Sequence, residues 1–134
     1  MAGHVRYLTA DQVLALHKLA LTIDAGGGGI RSEHLLLSAV FQPQQTFDGQ
    51  DLYPTIPEKA AAYGFSLAEN QPFLNGNKRT AALAMAVFLD QNGFELWEDD
   101  EDLAQMLEDL ACGIVDQDEF CGWVVNHSKK VEQT

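Results

Sequence analysis

The residues best suited to chemistry lie together in one segment, Gln71-Pro72-Phe73-Leu74-Asn75-Gly76-Asn77-Lys78-Arg79-Thr80-Ala81. A polar, glycine-containing loop here runs into the start of an apolar helix. The first N–H groups of a helix have no intrahelical acceptor, and the helix dipole is positive at that end, so such a junction attracts anions. Gly76 lets the backbone approach a ligand closely. Lys78 and Arg79 are adjacent and supply two of the chain's eight lysines and arginines. An arginine fork grips a phosphate through two parallel hydrogen bonds. These residue types read either as a phosphate site or as a solvated helix cap with basic neighbours.

Elsewhere the side chains offer less. Cys112 and Cys121 fit no zinc or redox spacing and are expected to be reduced, half-buried thiols. His4, His17, His34 and His127 form no metal motif. The run Gly26-Gly27-Gly28-Gly29 lacks the Gly-Lys-Ser/Thr ending of a phosphate loop and is expected to be a connector. The acidic run Glu98-Asp99-Asp100-Glu101-Asp102 is expected to open a helix, where the dipole favours carboxylates, rather than to hold a hard cation.

The elements that must position the loop are helical nearly throughout. Thr9 and Gln12 form a capping box, with Leu8 and Val13 placed as a hydrophobic staple. The first helix is expected to reach about Ala25, with Val13, Leu16, Ala20 and Ile23 on its buried face. Ser32 caps a second helix ending near Phe41. Residues 42–54 carry the turn signal Asp48-Gly49 and are expected to be a small hairpin or a loop. Thr55, Pro57 and Glu58 open a third helix that stops before Pro72. Gly76 or Asn77 starts the most apolar helix, Lys78 to Asn92, expected to be central and buried on most sides. Phe94 to Trp97 reads as extended. Asp99 or Asp100 caps a fifth helix ended by Gly113, and Asp116 with Glu119 opens a sixth. The expected fold is all-α: about six helices around a buried central helix, with a small β-hairpin or loop.

Bulk properties fit one soluble domain. The 134 residues correspond to a single domain, 1–134, and the 46% hydrophobic and 21% charged composition is ordinary for a globular protein. A net charge of −12 disfavours binding to nucleic acid or anionic membranes. No apolar run is long enough to span a membrane, and Met1-Ala2-Gly3-His4 begins no secretory signal, so a cytoplasmic location is expected.

The loop segment resembles the signature of the Fic/Doc family, His-x-Phe-x-(Asp/Glu/Asn)-(Gly/Ala)-Asn-(Gly/Lys)-Arg. Lys78 before Arg79, followed by Thr80-Ala81, looks like the Doc (death-on-curing) toxin branch. The resemblance extends through Leu8-Thr9 to Leu16-His17, Gly29-Ile30-Arg31, Pro43 to Phe47, Leu52-Tyr53-Pro54, Glu58 to Ala61 and Phe88 to Leu96. It implies a Fic fold in which residues 42–54 are a flap that aligns the target, and ATP with Mg2+ held at the loop. Carried over by position, Asn77 and the backbone around Gly76 would bind phosphate oxygens. Lys78 and Arg79 would bind and neutralise the triphosphate. Asn75 would lie nearest the magnesium, and Phe73 would anchor the loop in the core.

The resemblance implies a toxin of a toxin–antitoxin pair that transfers phosphate from ATP to a hydroxyl of elongation factor Tu. Its restraint would be a small Phd-like antitoxin whose disordered C-terminal region folds as it docks beside the loop. Two departures matter. Gln71 stands where the family has the histidine that takes the proton from the attacking hydroxyl. An amide cannot accept a proton near neutral pH, so the chemistry is expected to be impaired. Asn75 is an uncharged amide and a weak ligand for a hard cation. Ala82 stands in place of the second arginine of adenylylating members, which favours the Doc branch. An adenylyltransferase and a non-catalytic nucleotide- or partner-binding module remain the other readings of this scaffold. The C-terminal stretch Ser128-Lys129-Lys130-Val131-Glu132-Gln133 partly resembles the family's inhibitory motif, Ser/Thr-x-x-x-Glu-Gly/Asn, with the wrong last residue. It is expected to be a frayed, solvated tail.

Overall fold

The computed structural model describes residues 4–23, 28–96 and 100–131. Among them run six helices: α1 (Ala10–Ile23), α2 (Glu33–Phe41), α3 (Ile56–Asn70), α4 (Asn77–Gln91), α5 (Asp100–Ala111) and α6 (Gln117–His127). Two short antiparallel pairs complete the fold, β1 (Thr46–Phe47) with β2 (Gln50–Asp51) and β3 (Phe94–Leu96) with β4 (Ser128–Lys130). The all-α expectation with a small hairpin holds. None of the helices is long and apolar enough to cross a membrane.

Side-chain caps set the helix starts. Thr9 Oγ1 accepts from Gln12 N at 3.1 Å while Gln12 Oε1 accepts from Thr9 N at 2.8 Å. Thr55 with Glu58 and Asp116 with Glu119 repeat this reciprocal pattern, and Ser32 Oγ accepts from Leu35 N at 3.1 Å. Each cap satisfies N–H groups that the helix itself leaves unpaired. In the β1–β2 turn, Asp48 and Gly49 have φ of 53° and 79°. Two consecutive left-handed residues match the twist of a two-residue hairpin.

The most enclosed helix is α3, not α4. Every residue from Pro57 to Ala68 except Glu58 is buried, and α3 packs against α2, α4, α5 and α6. Small side chains explain this. Ala60, Ala61, Ala62 and Ala68 let neighbours approach on all sides, and a Cβ on Gly64 would collide with Met85 Sδ. Helix α4 buries Ala81, Ala84, Met85, Phe88 and Leu89 against α3, but its Lys78, Arg79, Ala82, Leu83, Ala86 and Asp90 line an open groove.

Several expectations change. Ile23 is 52% exposed, and the buried face of α1 is completed instead by His17, which is 5% exposed. The C-terminal stretch is not frayed at its start. Ser128 to Lys130 pairs with β3, and Ser128 Oγ donates to Val124 O at 2.7 Å. The strand exists because β3 offers an edge whose backbone groups need partners. Cys112 is exposed, whereas Cys121 is half-buried as expected. The helix end at Asp24 and Ala25, the glycines Gly26 and Gly27, Trp97, Glu98, the alternative cap Asp99 and the tail residues Glu132 and Gln133 lie outside the described residues.

Tyr63, on α3, is fully buried, and its hydroxyl accepts from Leu8 N at 2.9 Å. Burial pushes its pKa up from 10.0 to about 12. The unfolded chain therefore ionises first on the alkaline side. The Tyr63 contribution to stability is unchanged below about pH 10 and falls by about 2 kcal/mol as pH rises from 10 to 12. Urea unfolding across that range should show the slope, and Tyr63→Phe should remove that part of it.

Candidate functional site

The loop between α3 and α4 is built by contacts from three directions. From one side, residues 29–32 lie along it as a short ladder. Ile30 bridges Phe73, Arg31 N and Ser32 N donate to Pro72 O at 2.7 and 3.0 Å, and Leu74 N donates to Gly29 O at 3.1 Å. The Arg31 guanidinium reaches back to the end of α3, donating from Nε to Gln71 O at 2.7 Å and from Nη2 to Asn70 O at 2.6 Å. Gln71 itself is left-handed, φ 49° and ψ 60°, a region that glycine occupies far more readily than a glutamine does.

From below, Phe73 is buried and anchors the loop. Burial of such a side chain stabilises by about 1.5–3 kcal/mol. Its ring stacks on His17 of α1, with centroids 3.7 Å apart and planes 6° from parallel. His17 Nε2 lies 2.9 Å from Asn75 O. A carbonyl can only accept, so Nε2 carries the proton and donates.

From the helix side, Asn77 closes the turn. Its Oδ1 accepts from Phe73 N at 2.9 Å and its Nδ2 donates to Phe73 O at 3.0 Å. The Asn77 side chain thus braces the loop through both ends of its amide. Gly76 is the N-cap of α4 with φ 79°, and its carbonyl accepts from both Thr80 N at 2.9 Å and Thr80 Oγ1 at 2.7 Å.

Together these bonds engage the carbonyls of Asn70, Gln71, Pro72, Phe73, Asn75 and Gly76 with donors. What remains facing outward is a small cavity of about 210 Å³ lined by Ala68, Gln71, Gly76, Asn77, Lys78 and Arg79. The structure thus brings five of the six expected site residues to one cavity. Asn75 is exposed and outside that lining. Among the described residues no carboxylate lines the cavity, so a hard divalent cation would meet amide oxygens alone there. That donor set does not fit a protein-held magnesium ion. It does fit an anion.

A larger groove of about 630 Å³ opens beside the cavity, between α4, β3 and α5. Its floor is apolar, with Ala82, Leu83, Phe94, Leu96, Leu103 and Leu107, while Lys78 and Arg79 lie at one end and Asp90 and Glu95 at the other. Lys78 Nζ sits 3.1 Å from Glu108 Oε2 across this groove. Hydrogen bonding to Lys78, and then to the Cys112 thiol, holds the Glu108 carboxyl below its usual range. The same contact with Glu108 pushes the Cys112 thiol up, which makes it a poor nucleophile.

The flap expectation for residues 42–54 matches the β1–β2 hairpin, whose Phe47 is exposed. Lys59 of α3 ties it down. Its side chain is 1% exposed, and its ammonium lies 3.0 Å from Asp51 Oδ2 and also donates to Tyr53 O. Asp51→Asn should lower stability by about 1–2 kcal/mol, because it leaves a buried ammonium with neutral acceptors and no counter-charge. Lys59→Met, which removes that charge, should recover most of the loss in the double variant. Urea unfolding of the three proteins checks this.

Sequence reasoning did not single out His17, Arg31 or Lys59. His17 carried a signal, since it falls within the apolar stripe of α1 between Val13 and Ala20. Lys59 sits beside Ala60 to Ala62 in a helix with little polar surface, a placement that hints at burial. Arg31 carried none, because its partners are carbonyls forty residues away.

The sequence model described as the Fic/DOC family matches residues 7–89. The chain is also 42% identical over 102 residues to a protein named Toxin Doc from Mycolicibacterium smegmatis, covering 75% of this chain and 76% of that one.

Proposed function

The chain belongs to the Fic/DOC family, and from that premise we propose that it is the toxin of a toxin–antitoxin pair, built to transfer the γ-phosphoryl group of ATP. One arrangement carries this reading. Around the loop the carbonyls are turned to donors, while the α4 N-terminus, Lys78 and Arg79 meet at an open cavity. Phosphoryl transfer needs mostly positioning and charge stabilisation, and these are the parts that supply them. The N–H groups of Asn77 and Lys78 and the Arg79 guanidinium receive the phosphate oxygens. The acceptor is a hydroxyl of a protein held against the β1–β2 flap, with elongation factor Tu as the proposed target. In the transfer the hydroxyl oxygen bonds phosphorus, the bond to the bridging oxygen of ADP breaks, and the hydroxyl proton must leave. Gln71 occupies the rim where that proton would go and cannot take it. This chain is therefore a slow or silent form of the enzyme.

The apolar groove beside the loop is the proposed seat of a Phd-like antitoxin. Its apolar floor and charged ends suit a segment that folds into a helix on docking. Asp90, Glu95 and a net charge of −12 select a segment with basic residues at the end far from Arg79.

ATP labelled on the α or the γ phosphate, supplied to a Gln71→His variant with elongation factor Tu, tests the reaction. Label should reach protein from the γ position. Transfer from the α position would establish AMP transfer instead and overturn the kinase reading. No transfer from either, with nucleotide still bound, would leave the non-catalytic binding module.

A further inference from the structure

Resting on the reading of this loop as a phosphate site, we infer that His17 is a positioning residue for it. It takes up the Asn75 carbonyl so that the rim of the cavity presents donors to an anion. His17 lies on α1, 58 residues before its partner, and is almost fully buried. Three contacts define its place. Its face lies flat on Phe73 at 3.7 Å, its Nε2 donates to Asn75 O at 2.9 Å, and its Cδ2 would sit 3.7 Å from a Cβ on Gly76. The ring therefore sets both the height of the turn from Phe73 to Gly76 and its rotation.

Rotation matters for charge. A peptide unit points its carbonyl and its N–H in opposite directions. Holding the Asn75 carbonyl inward turns the following N–H, that of Gly76, towards the opposite side. A released carbonyl would bring a negative dipole to the cavity rim. Arg31 does the same work at the other rim, where it takes the carbonyls of Asn70 and Gln71. His17 and Arg31 thus clamp the two ends of the loop from outside it. Neither lines the cavity, so neither touches the ligand.

Two replacements of His17 in the full chain separate its two contacts. His17→Phe keeps a flat ring on Phe73 and loses the donor. His17→Gln loses the ring and keeps an N–H at comparable reach. Calorimetry with inorganic pyrophosphate and with ATP should show His17→Phe weakened about three- to tenfold and His17→Gln within about twofold of the native chain. Amide exchange at Phe73 and Leu74 should quicken in His17→Phe and be restored in His17→Gln. Equal losses in both variants would assign His17 to packing alone and overturn the inference, as would native affinity and exchange in His17→Phe. If the native chain binds neither probe, the phosphate reading fails, and the exchange comparison alone decides the clamp. A measurement on the native chain needs no variant to fold. Nitrogen NMR should find the His17 proton on Nε2, and a ring protonated only on Nδ1 would refute the donation.

Discussion

Gln71→His is expected to turn this chain into an active phosphotransferase, with a rate about a hundredfold to ten-thousandfold higher, the usual contribution of a positioned general base. The surrounding parts are already in place. Gln71 sits on the rim of the loop cavity, and its left-handed backbone is held by the Arg31 guanidinium on its carbonyl and by its own N–H to Leu67 O. An imidazole introduced there inherits that geometry and adds a nitrogen whose ordinary pKa lies near neutrality. The backbone keeps its strain in either case, so the fold should not change. Growth arrest on induction in bacterial cells, together with transfer of label from ATP in purified form, is the expected readout. Normal growth and no transfer, with the variant shown to be soluble and folded, would count decisively against the phosphotransferase reading.

Arg79→Ala is expected to weaken ATP binding by about ten- to a hundredfold, the worth of a two-pronged, charge-assisted contact to phosphate. Lys78→Ala should weaken it only a few-fold. The two side chains are neighbours in sequence but not in circumstance. Arg79 is half-buried and lines both the loop cavity and the groove. Lys78 is exposed and already paired with Glu108 on α5, so its charge is partly spent across the groove. A mobile ammonium in solvent also lacks the fixed fork of a guanidinium. Titration calorimetry on both variants separates them, and equal losses would refute the ranking.

The local architecture of this protein is written in its sequence. Thr9, Ser32, Thr55 and Asp116 announce helix starts because a capping side chain bonds to a backbone only two or three residues away. Asp48-Gly49 announces the hairpin because a tight turn demands left-handed residues. The segment from Gln71 to Arg79 stands out as well, since a loop, a glycine and two cations at a helix start are the residue types an anion site would use. What sequence reading misjudged depended on distance along the chain. Apolar content pointed to α4 as the central helix, but enclosure is decided by how closely neighbours approach, and the small residues of α3 win. The C-terminal strand follows from the edge that β3 offers some thirty residues earlier. That Asn77 also braces the loop is visible only once the fold places the Phe73 backbone against both ends of its amide. His17, Arg31 and Lys59 gain their roles from partners that no local pattern reveals: the Asn75 carbonyl, the end of α3 and the flap. The sequence by itself determined which residue types gather at the start of α4. Tertiary structure alone decided which way their backbone faces, because a carbonyl's direction is set by the donor that reaches it, and here those donors come from other helices and loops.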